Sequence, residues 1–334
     1  MESYPFETIL KQWNITFKQV HPAMILSGSP QRSLYRIVVE DEHGKFFILE
    51  QISKNKLHHK QLIAQVLLFL SDHNLEKIHP YLVNRQNQCI SRVHDDFWQV
   101  QPYINGIELS RPSYVFDSWR GRSAADFLIQ LWSTSDPISS EFALPLFSLK
   151  EYVVDMALKM RQFNDKEYHQ IKPFLDYLSK DFFLRYDLIP LRFCHGDYHP
   201  LNILWGKRSI QSVIDWEFMG IKPEIYDMAN MLGCVGIEDP DGLLDGFVLN
   251  FLRRIKQEDI ISEIGFELLF DCIIALRFAW LAEWFRATDR EMIGLEIDFL
   301  TILYENASVI RKSWQSYLSS DINDIDVGSL SVDR

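Results

Sequence analysis

The sequence of 334 residues is poor in cysteine and contains no long apolar run. Its four cysteines lack CxxC spacing, which argues against a zinc site and a disulfide framework. The most apolar stretch, residues 268–282, is interrupted by Asp271 and Arg277 and is too short to cross a bilayer. The first residues lack a basic segment followed by an apolar core, so no signal peptide is expected. These shortages predict a cytoplasmic protein without a membrane partner. The four cysteines are Cys89, Cys194, Cys234 and Cys272.

Positive charge is also in short supply, because 34 basic residues stand against 46 acidic ones and give a net charge of −12. Nucleic acids and anionic membranes attract basic surfaces, so neither is expected as a partner. Residues 235–334 carry 19 acids and 9 bases, and thus most of the acidic excess. Hydrophobic residues make up 47% of the chain, as in ordinary folded proteins, and the length is typical of two domains or lobes.

The N-terminal third shows the patterns of strands and one helix. Segments 34–40 and 45–52 are rich in β-branched and aromatic residues and are separated by a turn, which predicts a hairpin. A helical apolar period follows over residues 57–70, and strand-like runs cover residues 88–93 and 96–100.

The rest of the chain is mainly helical in its periodicity, with two short β-type runs at residues 202–205 and 211–215. The sequence therefore predicts an α+β fold with a small β-rich lobe over residues 1–101, a crossing at 102–106 and a larger, mainly helical lobe over 107–334. A small-molecule site is expected near the crossing. The predicted helices are 124–132, 149–160, 167–185, 243–256 and 267–287.

The most informative segment, residues 193–216, reads FCHGDYHPLNILWGKRSIQSVIDW. Asp197 is followed at five residues by Asn202 and, after a β-type run, by Asp215. Phosphoryl transfer from a nucleotide requires a carboxylate that orients the attacking hydroxyl and accepts its proton, together with ligands for the metal ion on the phosphates. Mg²⁺ prefers hard oxygen ligands and keeps much of its water, so one Asn and one Asp suffice. The order and spacing of these residues predict a phosphotransferase.

Three motifs in this region resemble those of the aminoglycoside phosphotransferase family and its choline kinase-like relatives, which are small-molecule kinases. The family patterns are H-G-D-x-H-x-x-N, I-D-[FW]-[DE] and P-x-x-[YF]-D-[LM]-A. Here they read HGDYHPLN at 195–202, IDWE at 214–217 and PEIYDMA at 223–229. The resemblance implies a protein kinase-like two-lobed fold, ATP and Mg²⁺ as cofactors, and a hydroxyl group of a small molecule as the phosphate acceptor.

The same resemblance implies roles for individual residues of these motifs. Asp197 is expected to act as the catalytic base, and Asn202 and Asp215 as ligands of Mg²⁺. Glu217 is expected either to reach a second metal ion or to have a structural role. Three further residues are expected to support the catalytic loop by hydrogen bonds rather than to transfer protons: His195, His199 and Asp227.

One position departs from the family pattern. The third strand of the relatives ends in a basic residue that pairs with the nucleotide phosphates and with a helix glutamate, but here the matching run ends in Glu50. In one explanation the pair is inverted: Glu50 binds Lys56 or Lys60 of the next helix, and Arg32 with the backbone amides of loop 27–33 binds the phosphates. In the other, nucleotide binding is weakened and the chain is a pseudokinase or scaffold protein. The intact base and metal ligands favour an active enzyme.

The resemblance also implies nucleotide contacts from the loop, the third strand and the crossing. The loop alone is a weak signal, because a bare turn between strands would read the same. The expected nucleotide-binding residues are Gly28, Ser29, Arg32, Glu50, Gln101 and Tyr103.

The acceptor is expected in the helical lobe. Four charged or indole side chains lie within one or two turns of the predicted helix 267–287 and form either the wall of a polar pocket or part of the core, with an ion pair between Arg277 and Glu283. An acidic wall favours a cationic or polyhydroxy acceptor. The sequence thus predicts an ATP- and Mg²⁺-dependent small-molecule kinase, without the D-F-G and A-P-E segments of protein kinases. The candidate acceptor residues are Arg277, Trp280, Glu283 and Trp284.

Overall fold

The computed structural model describes residues 5–26, 28, 33–163 and 165–320. The chain divides into two compact units, each assembled from several segments. The first unit comprises residues 1–109, 127–147 and 192–222, and the second comprises residues 110–126, 148–191 and 223–334.

A five-stranded antiparallel sheet forms the body of the first unit. Its strand order is β1-β2-β3-β5-β4, with α1 before the first strand and α2 between β3 and β4. In chain order these elements are α1 (Phe6–Leu10), β1 (Phe17–Val20), β2 (Tyr35–Asp41), β3 (Phe46–Ile52), α2 (Leu57–Asp72), β4 (Ile90–Val93) and β5 (Asp96–Pro102).

The hairpin of β2 and β3 is closed by a turn whose backbone bonds to a side chain. Oδ1 of Asp41 accepts hydrogen bonds from the backbone N–H groups of His43 at 2.9 Å and Lys45 at 2.8 Å. This local capture of turn amides by an aspartate is common in short loops. The resulting register places Arg36 of β2 opposite Glu50 of β3.

Helix α2 buries one face that is apolar except for a lysine. A buried lysine is rare unless a carboxylate pairs with it, so its position on this face points to a partner inside the unit. The buried residues of α2 are Lys60, Ile63, Ala64, Val66, Leu67 and Leu70.

Two short strand pairs complete the first unit. Strand β6 (Leu191–Cys194) pairs with β9 (Gly220–Pro223), and β7 (Ile203–Trp205) pairs with β8 (Ile210–Val213). The segment with the HGD motif connects β6 to β7, and the IDWE segment follows β8. The two strand pairs thus determine where the segments that carry both motifs begin and end.

The second unit is helical, with α10 packed against α5, α8 and α11. Together with the sheet of the first unit, this arrangement confirms the predicted α+β class. No helix among the described residues combines the length and apolar character needed to cross a membrane. The α-helices of the second unit are α5 (Leu149–Phe163), α6 (Asp165–Lys180), α7 (Phe182–Arg185), α8 (Tyr226–Glu238), α9 (Gly246–Glu258), α10 (Glu263–Ala287) and α11 (Arg290–Ser319). Helix α4 (Ile138–Glu141) belongs to the first unit, and α3 (Ser118–Ser135) has residues in both units.

Candidate active site

The loop between β6 and β7 presents the carboxylate of Asp197. The side-chain amide of Asn202 donates a hydrogen bond to Oδ2 of Asp197 at 3.0 Å and another to the backbone carbonyl of Asp197 at 2.9 Å. Nε2 of His199 lies 3.6 Å from the other carboxylate oxygen, Oδ1. The Asp197 side chain keeps 13% of its surface exposed, so a small molecule can reach a carboxylate whose orientation is fixed.

The β7–β8 hairpin brings Asn202 and Asp215 to the same end of a strand pair. Strand β7 begins directly after Asn202, β8 ends two residues before Asp215, and Ile203 stands opposite Val213. The backbone N–H of Ile214 donates to the carbonyl of Asn202 at 2.9 Å, which extends the pairing by one step. Asp215 adopts the left-handed region at φ 68°, which aspartate tolerates better than most residues.

His195 links this loop to the end of β8. Its Nε2 lies 3.0 Å from the carbonyl oxygen of Ile214, and the backbone N–H of Asp197 donates to its Nδ1 at 3.2 Å. Because a carbonyl only accepts and a backbone N–H only donates, the ring is neutral with its proton on Nε2. Both ring nitrogens are thus engaged in bonds to the backbone, and the side chain is fully buried.

Gly196 allows the loop to pass close to the segment after Asp215. Its φ is +82°, and a Cβ at this position would lie 2.0 Å from the carbonyl oxygen of Phe218 and 2.7 Å from Cε of Lys222. Since no side chain fits at 2.0 Å from a backbone oxygen, the approach of these two segments requires glycine here.

A cavity of about 500 Å³ in the first unit opens beside Asp215, a volume in the usual range of small-ligand sites. The backbone N–H of Tyr103, at its edge, donates to the carbonyl of Phe46 at 3.0 Å. Of the expected nucleotide-binding residues, Gly28, Glu50, Gln101 and Tyr103 line this cavity. Its apolar walls are formed by side chains that include Ile48, Ile63, Leu67, Ile104, Leu204 and Ile214.

The loop expected to contact phosphate is described at Gly28, whereas Ser29 and Arg32 lie outside the described residues. Gly28 has φ +87°, and a Cβ there would lie 3.6 Å from Oδ2 of Asp215 and 3.8 Å from Nη1 of Arg36. The backbone of Gly28 therefore comes close to one carboxylate and one guanidinium that both line the cavity.

Glu50, at the position where the resemblance led us to expect a basic residue, is buried at 3% exposure. Its Oε1 accepts hydrogen bonds from Nζ of Lys60 at 3.0 Å and from the hydroxyl of Ser33. Its Oε2 accepts one from the amide of Gln99 at 2.5 Å. Lys60 also pairs with Oε1 of Glu217. The structure thus contains an inverted pair, with the acid on β3 and the lysine on α2.

Glu217 is shared between a lysine and a histidine of α2. Besides Lys60, it faces His59, whose Nε2 lies 3.4 Å from the carboxylate and 2.9 Å from the backbone carbonyl of Glu217. Burial opposes ionisation of Glu217, but the hydrogen bond from His59 and the charge of Lys60 lower its pKa to about 2. The bond to Glu217 raises the pKa of His59 above its ordinary value. Glu217 is thereby held against α2 by two side chains, and both roles expected for it stay predictions.

Lys60 remains charged inside this cluster. Burial alone would lower its pKa, but the carboxylates of Glu50 and Glu217 beside it raise the pKa above its ordinary value. Burial also raises the pKa of Tyr81, which lines the same cavity as a neutral phenol. The cavity therefore contains a charged lysine between two carboxylates.

The residue types around Asn202 and Asp215 fit a magnesium ion. The amide nitrogen of Asn202 is directed to Asp197, which leaves its Oδ1 as a hard oxygen donor. One amide oxygen and one carboxylate suit Mg²⁺, whose other ligands are phosphate oxygens and water. Among the described residues no group of three or more His, Cys, Asp or Glu side chains is arranged for a metal ion.

The charged residues expected at the acceptor site lie on α10 and have different partners from those expected. Arg277 is only 2% exposed and forms a two-point ion pair with Glu296 of α11, with Nε–Oε2 at 2.8 Å and Nη2–Oε1 at 2.5 Å. The pair between Arg277 and Glu283 is not formed, because residues six apart point about 120° apart around a helix. Glu283 lies on the surface and pairs with Arg286 instead.

The two tryptophans of α10 stack on one another with ring centroids 6.0 Å apart. Nε1 of Trp280 donates to Oδ1 of Asn230 at 3.1 Å, and Nε1 of Trp284 donates to Oε1 of Glu296 at 3.3 Å. The buried ion pair thus also orients the indole of Trp284. Asp227, in the first turn of α8, is fully buried in the same unit.

Two residues close to Glu50 and Glu217 were not predicted from the sequence as residues of the site. Arg36 stands opposite Glu50 only once the register of β2 and β3 is known, although the predicted hairpin already placed both residues in neighbouring strands. His59 is adjacent to Lys60 in the sequence, but its contact with Glu217 joins residues 158 positions apart and has no local signal.

The comparison with known proteins agrees with this geometry. The family model described as the phosphotransferase enzyme family matches residues 31–257, which is about two thirds of the chain. A search of curated proteins gives no match.

Solved structures share the fold over nearly the whole chain. An aminoglycoside phosphotransferase from Alicyclobacillus acidocaldarius is 16% identical with a TM-score of 0.61, covering 95% of each chain. The amicoumacin kinase hAmiN, in complex with AMP-PNP, Ca²⁺ and amicoumacin, is 13% identical with a TM-score of 0.64, covering 91% of this chain and 94% of its own. The GDP complex of aminoglycoside 2'-phosphotransferase-IIIa is 20% identical with a TM-score of 0.61, covering 90% and 98%. The protein kinase-like fold is thereby confirmed.

Proposed function

We propose that this chain, which belongs to the phosphotransferase enzyme family, is a cytoplasmic kinase that transfers the γ-phosphoryl group of ATP to a hydroxyl group of a small molecule with Mg²⁺ as cofactor. The observation that carries the proposal is the pairing of Asp197 with Asn202 beside Asp215. A base and two oxygen ligands for a metal ion are the protein groups that phosphoryl transfer requires.

In this mechanism Asp197 accepts a hydrogen bond from the acceptor hydroxyl and takes its proton as the hydroxyl oxygen bonds to the γ-phosphorus, while the bond from that phosphorus to the bridging oxygen breaks and ADP leaves. Asn202 keeps the carboxylate oriented through its amide nitrogen and offers its carbonyl oxygen to the metal ion. Asp215 supplies the second protein ligand. When bound, Mg²⁺ neutralises charge on the phosphate oxygens. His195, His199 and Asp227 support the loop and do not exchange protons.

The nucleotide is proposed to occupy the cavity of the first unit. Its apolar walls suit a purine ring. Tyr103 in the crossing 102–106 and Gln101 just before it also line the cavity and suit contacts to the base. Gly28, with Ser29 and Arg32, is proposed to lie along the phosphates. The lobe of residues 1–101 would then hold the nucleotide, and residues 107–334 would carry the catalytic loop and the acceptor site.

The acceptor is proposed to be cationic or polyhydroxylated. Residues 235–334 contain most of the acidic excess, and Glu283 of α10 is an exposed carboxylate near the stacked indoles of Trp280 and Trp284. Carboxylates attract amines and indoles pack on sugar rings or cover cations. Arg277 contributes by fixing Glu296, which orients Trp284.

A second candidate is a nucleotide-binding protein without catalysis. It is motivated by Glu50, because a carboxylate beside a phosphate is repulsive by about 1–4 kcal/mol at ~4 Å, depending on the dielectric. The hydrogen bonds that Glu50 accepts from Lys60, Ser33 and Gln99 offset this repulsion, which favours the kinase.

The test is a screen of hydroxylated metabolites and aminoglycosides for consumption of ATP, with GTP in parallel and Asp197→Asn as the blank. We expect at least one acceptor to give turnover that requires Mg²⁺ and is lost by about 10²–10⁴-fold in Asp197→Asn. Nucleotide binding without turnover for any acceptor would support the second candidate. Absence of nucleotide binding at millimolar concentration would contradict both.

A further inference from the structure

The cavity proposed for the nucleotide has more acidic than basic side chains on its described walls. Its carboxylates are Glu50, Glu108, Asp215 and Glu217, whereas the permanently cationic side chains among the described lining residues are Arg36 and Lys60. A nucleotide tail carries several negative charges, and Mg²⁺ neutralises only part of them. Arg32 of the loop lies outside the described residues, so the permanent cations that the described walls offer to the tail are Arg36 and Lys60.

Within the part of the chain that the structure describes, Lys60 has one N–H donor left for such a contact. An ammonium group has three N–H donors. Glu50 and Glu217 accept two of them, which positions Nζ between β3 and the segment that follows Asp215. Both carboxylates and Lys60 line the cavity, so the group lies at its wall although the lysine is only 3% exposed.

The hydrogen bonds around Glu50 remove the main objection to phosphate binding at this wall. Its two oxygens accept bonds from Ser33, Gln99 and Lys60, so its negative charge is compensated by three donors. Glu217 is compensated in the same way by Lys60 and His59. A lysine fixed by two carboxylates also loses little side-chain entropy when it binds a third acceptor.

We propose that Lys60 of α2 contacts the nucleotide phosphates in this chain, alongside the loop with Arg32 and in place of a basic residue on β3. This inference rests on the proposed function and specifies how its nucleotide site binds phosphate. Glu50 and Glu217 position the ammonium group. The positive charge next to the phosphates is then supplied by a residue of α2 and not by a residue of β3.

The experiment measures the binding of Mg–ATP, ADP and adenosine to wild type, Lys60→Gln and Lys54→Gln by calorimetry. Glutamine keeps hydrogen-bond donors for the two carboxylates but removes the charge. We expect Lys60→Gln to weaken ATP and ADP by about 10–100-fold, the usual range for one charge-assisted hydrogen bond, and to leave adenosine within about twofold. Lys54, an exposed lysine just before α2, is the matched control and should bind all three ligands as wild type does.

Three results separate the possibilities. Equal ATP binding by wild type and Lys60→Gln would overturn the role of Lys60 while leaving the proposed kinase intact. Equal losses for ATP and adenosine would show a structural role only and would also overturn it. No ATP binding by wild type would overturn both proposals.

A measurement on the unaltered chain covers the case in which Lys60→Gln fails to fold. A crystal structure of wild type with Mg²⁺ and AMP-PNP should place Nζ of Lys60 within about 3 Å of a phosphate oxygen, as a charge-assisted hydrogen bond requires. A closest approach beyond about 5 Å would overturn the proposal. Lys60→Arg keeps the charge and should retain the preference for ATP over adenosine.

Discussion

The amide of Asn202 donates to both the side chain and the backbone carbonyl of Asp197, at 3.0 Å and 2.9 Å. The residue five positions after the proposed base thus fixes the turn of the loop and the orientation of the carboxylate together. The spacing of the motif has a physical reason, because one side chain has to close the loop on itself.

Asn202→Ala should reduce kcat by about 10²–10³-fold. The substitution removes an oxygen ligand for the metal ion and leaves the carboxylate of Asp197 without the hydrogen bond that orients it. Loss of orientation of a catalytic group typically reduces the rate by this factor. The loss of the two hydrogen bonds should lower the free energy of unfolding by about 1–2 kcal/mol. Steady-state kinetics with the acceptor identified by screening, and urea denaturation, give the two quantities.

Asn306→Ala is the matched control, because Asn306 lies on the exposed face of α11 and its amide donates to the carbonyl of Ile302 within the same helix. It should keep wild-type kcat. A wild-type kcat for Asn202→Ala would contradict the assigned role.

Gly196→Ala should destabilise the first unit severely. A methyl group would meet the carbonyl oxygen of Phe218 at 2.0 Å, and the left-handed backbone adds about 1–2 kcal/mol for any other residue. Because the obstacle is backbone, neither segment relieves the clash by changing a rotamer. We expect loss of more than about 3 kcal/mol, or failure to fold, measured by circular dichroism and urea denaturation.

Substitutions at two other glycines separate the effect of the clash with Phe218 from the effect of the left-handed backbone. Gly44 has φ +77° but open space around its Cβ position, so Gly44→Ala should cost only the backbone strain of about 1–2 kcal/mol. Gly294 has open space and lies inside α11, so Gly294→Ala should stabilise by about 0.5–1 kcal/mol. Similar effects of all three substitutions would show that the contact with Phe218 is unimportant.

Local patterns predicted the elements whose buried face is regular. The hairpin 34–40 and 45–52 and the helix 57–70 correspond closely to β2, β3 and α2. Helix α8 was missed because it is buried on nearly all sides and contains Gly233 and Gly236, so it has no apolar stripe and a low helix propensity.

Helix α11 was missed although it is 30 residues long. Its buried stripe includes Glu296, which reads as a surface residue in the sequence and is 1% exposed in the structure. Only the partner Arg277, on another helix, explains the burial of this carboxylate. Pairs between distant residues have no signature in a local pattern.

In the site, too, local spacing could be predicted from the sequence, whereas contacts between distant residues could not. The spacing of Asp197, Asn202 and Asp215 is set by one loop and one hairpin, so a short motif could predict it. The contacts of Lys60 with Glu50 and Glu217 depend on how α2 packs inside the first unit. The sequence indicated the first of these pairs as one of two alternatives, and it gave no reason to expect Lys60 between two acids.

Arg277→Met should lower the free energy of unfolding by about 3–5 kcal/mol, because it leaves the carboxylate of Glu296 buried without its counter-charge. The double variant Arg277→Met/Glu296→Leu should recover most of this loss, since an apolar pair avoids the desolvation of both charges. Urea denaturation of the single and double variants measures the coupling.

Arg286→Met is the control for an exposed pair, because Arg286 and Glu283 are both largely solvent-accessible. It should change stability by no more than about 1 kcal/mol. An equally small effect of Arg277→Met would show that Glu296 finds other partners.

Glu40 should make the stability of the first unit depend on acidic pH. Hydrogen bonds from Lys18, Gln19 and His21 lower the pKa of Glu40 to about 2, so folding favours its ionised form. A depressed pKa gives stability that is present above the unfolded value of about 4.5 and is lost as the pH falls towards 2. Glu40→Gln should therefore have a lower urea midpoint than wild type at pH 6, and the difference between the two midpoints should shrink steadily as the pH falls from about 5 towards 2.

Glu42→Gln tests whether this effect belongs to Glu40 or to any carboxylate in the β2–β3 region. Glu42 is exposed in the turn two residues further along, and the bonds from Lys18, Gln19 and His21 all go to Glu40. Its midpoint should follow that of wild type at every pH. A constant difference between wild type and Glu40→Gln from pH 6 to pH 3 would mean that the hydrogen bonds, and not the charge of Glu40, stabilise this edge of the sheet.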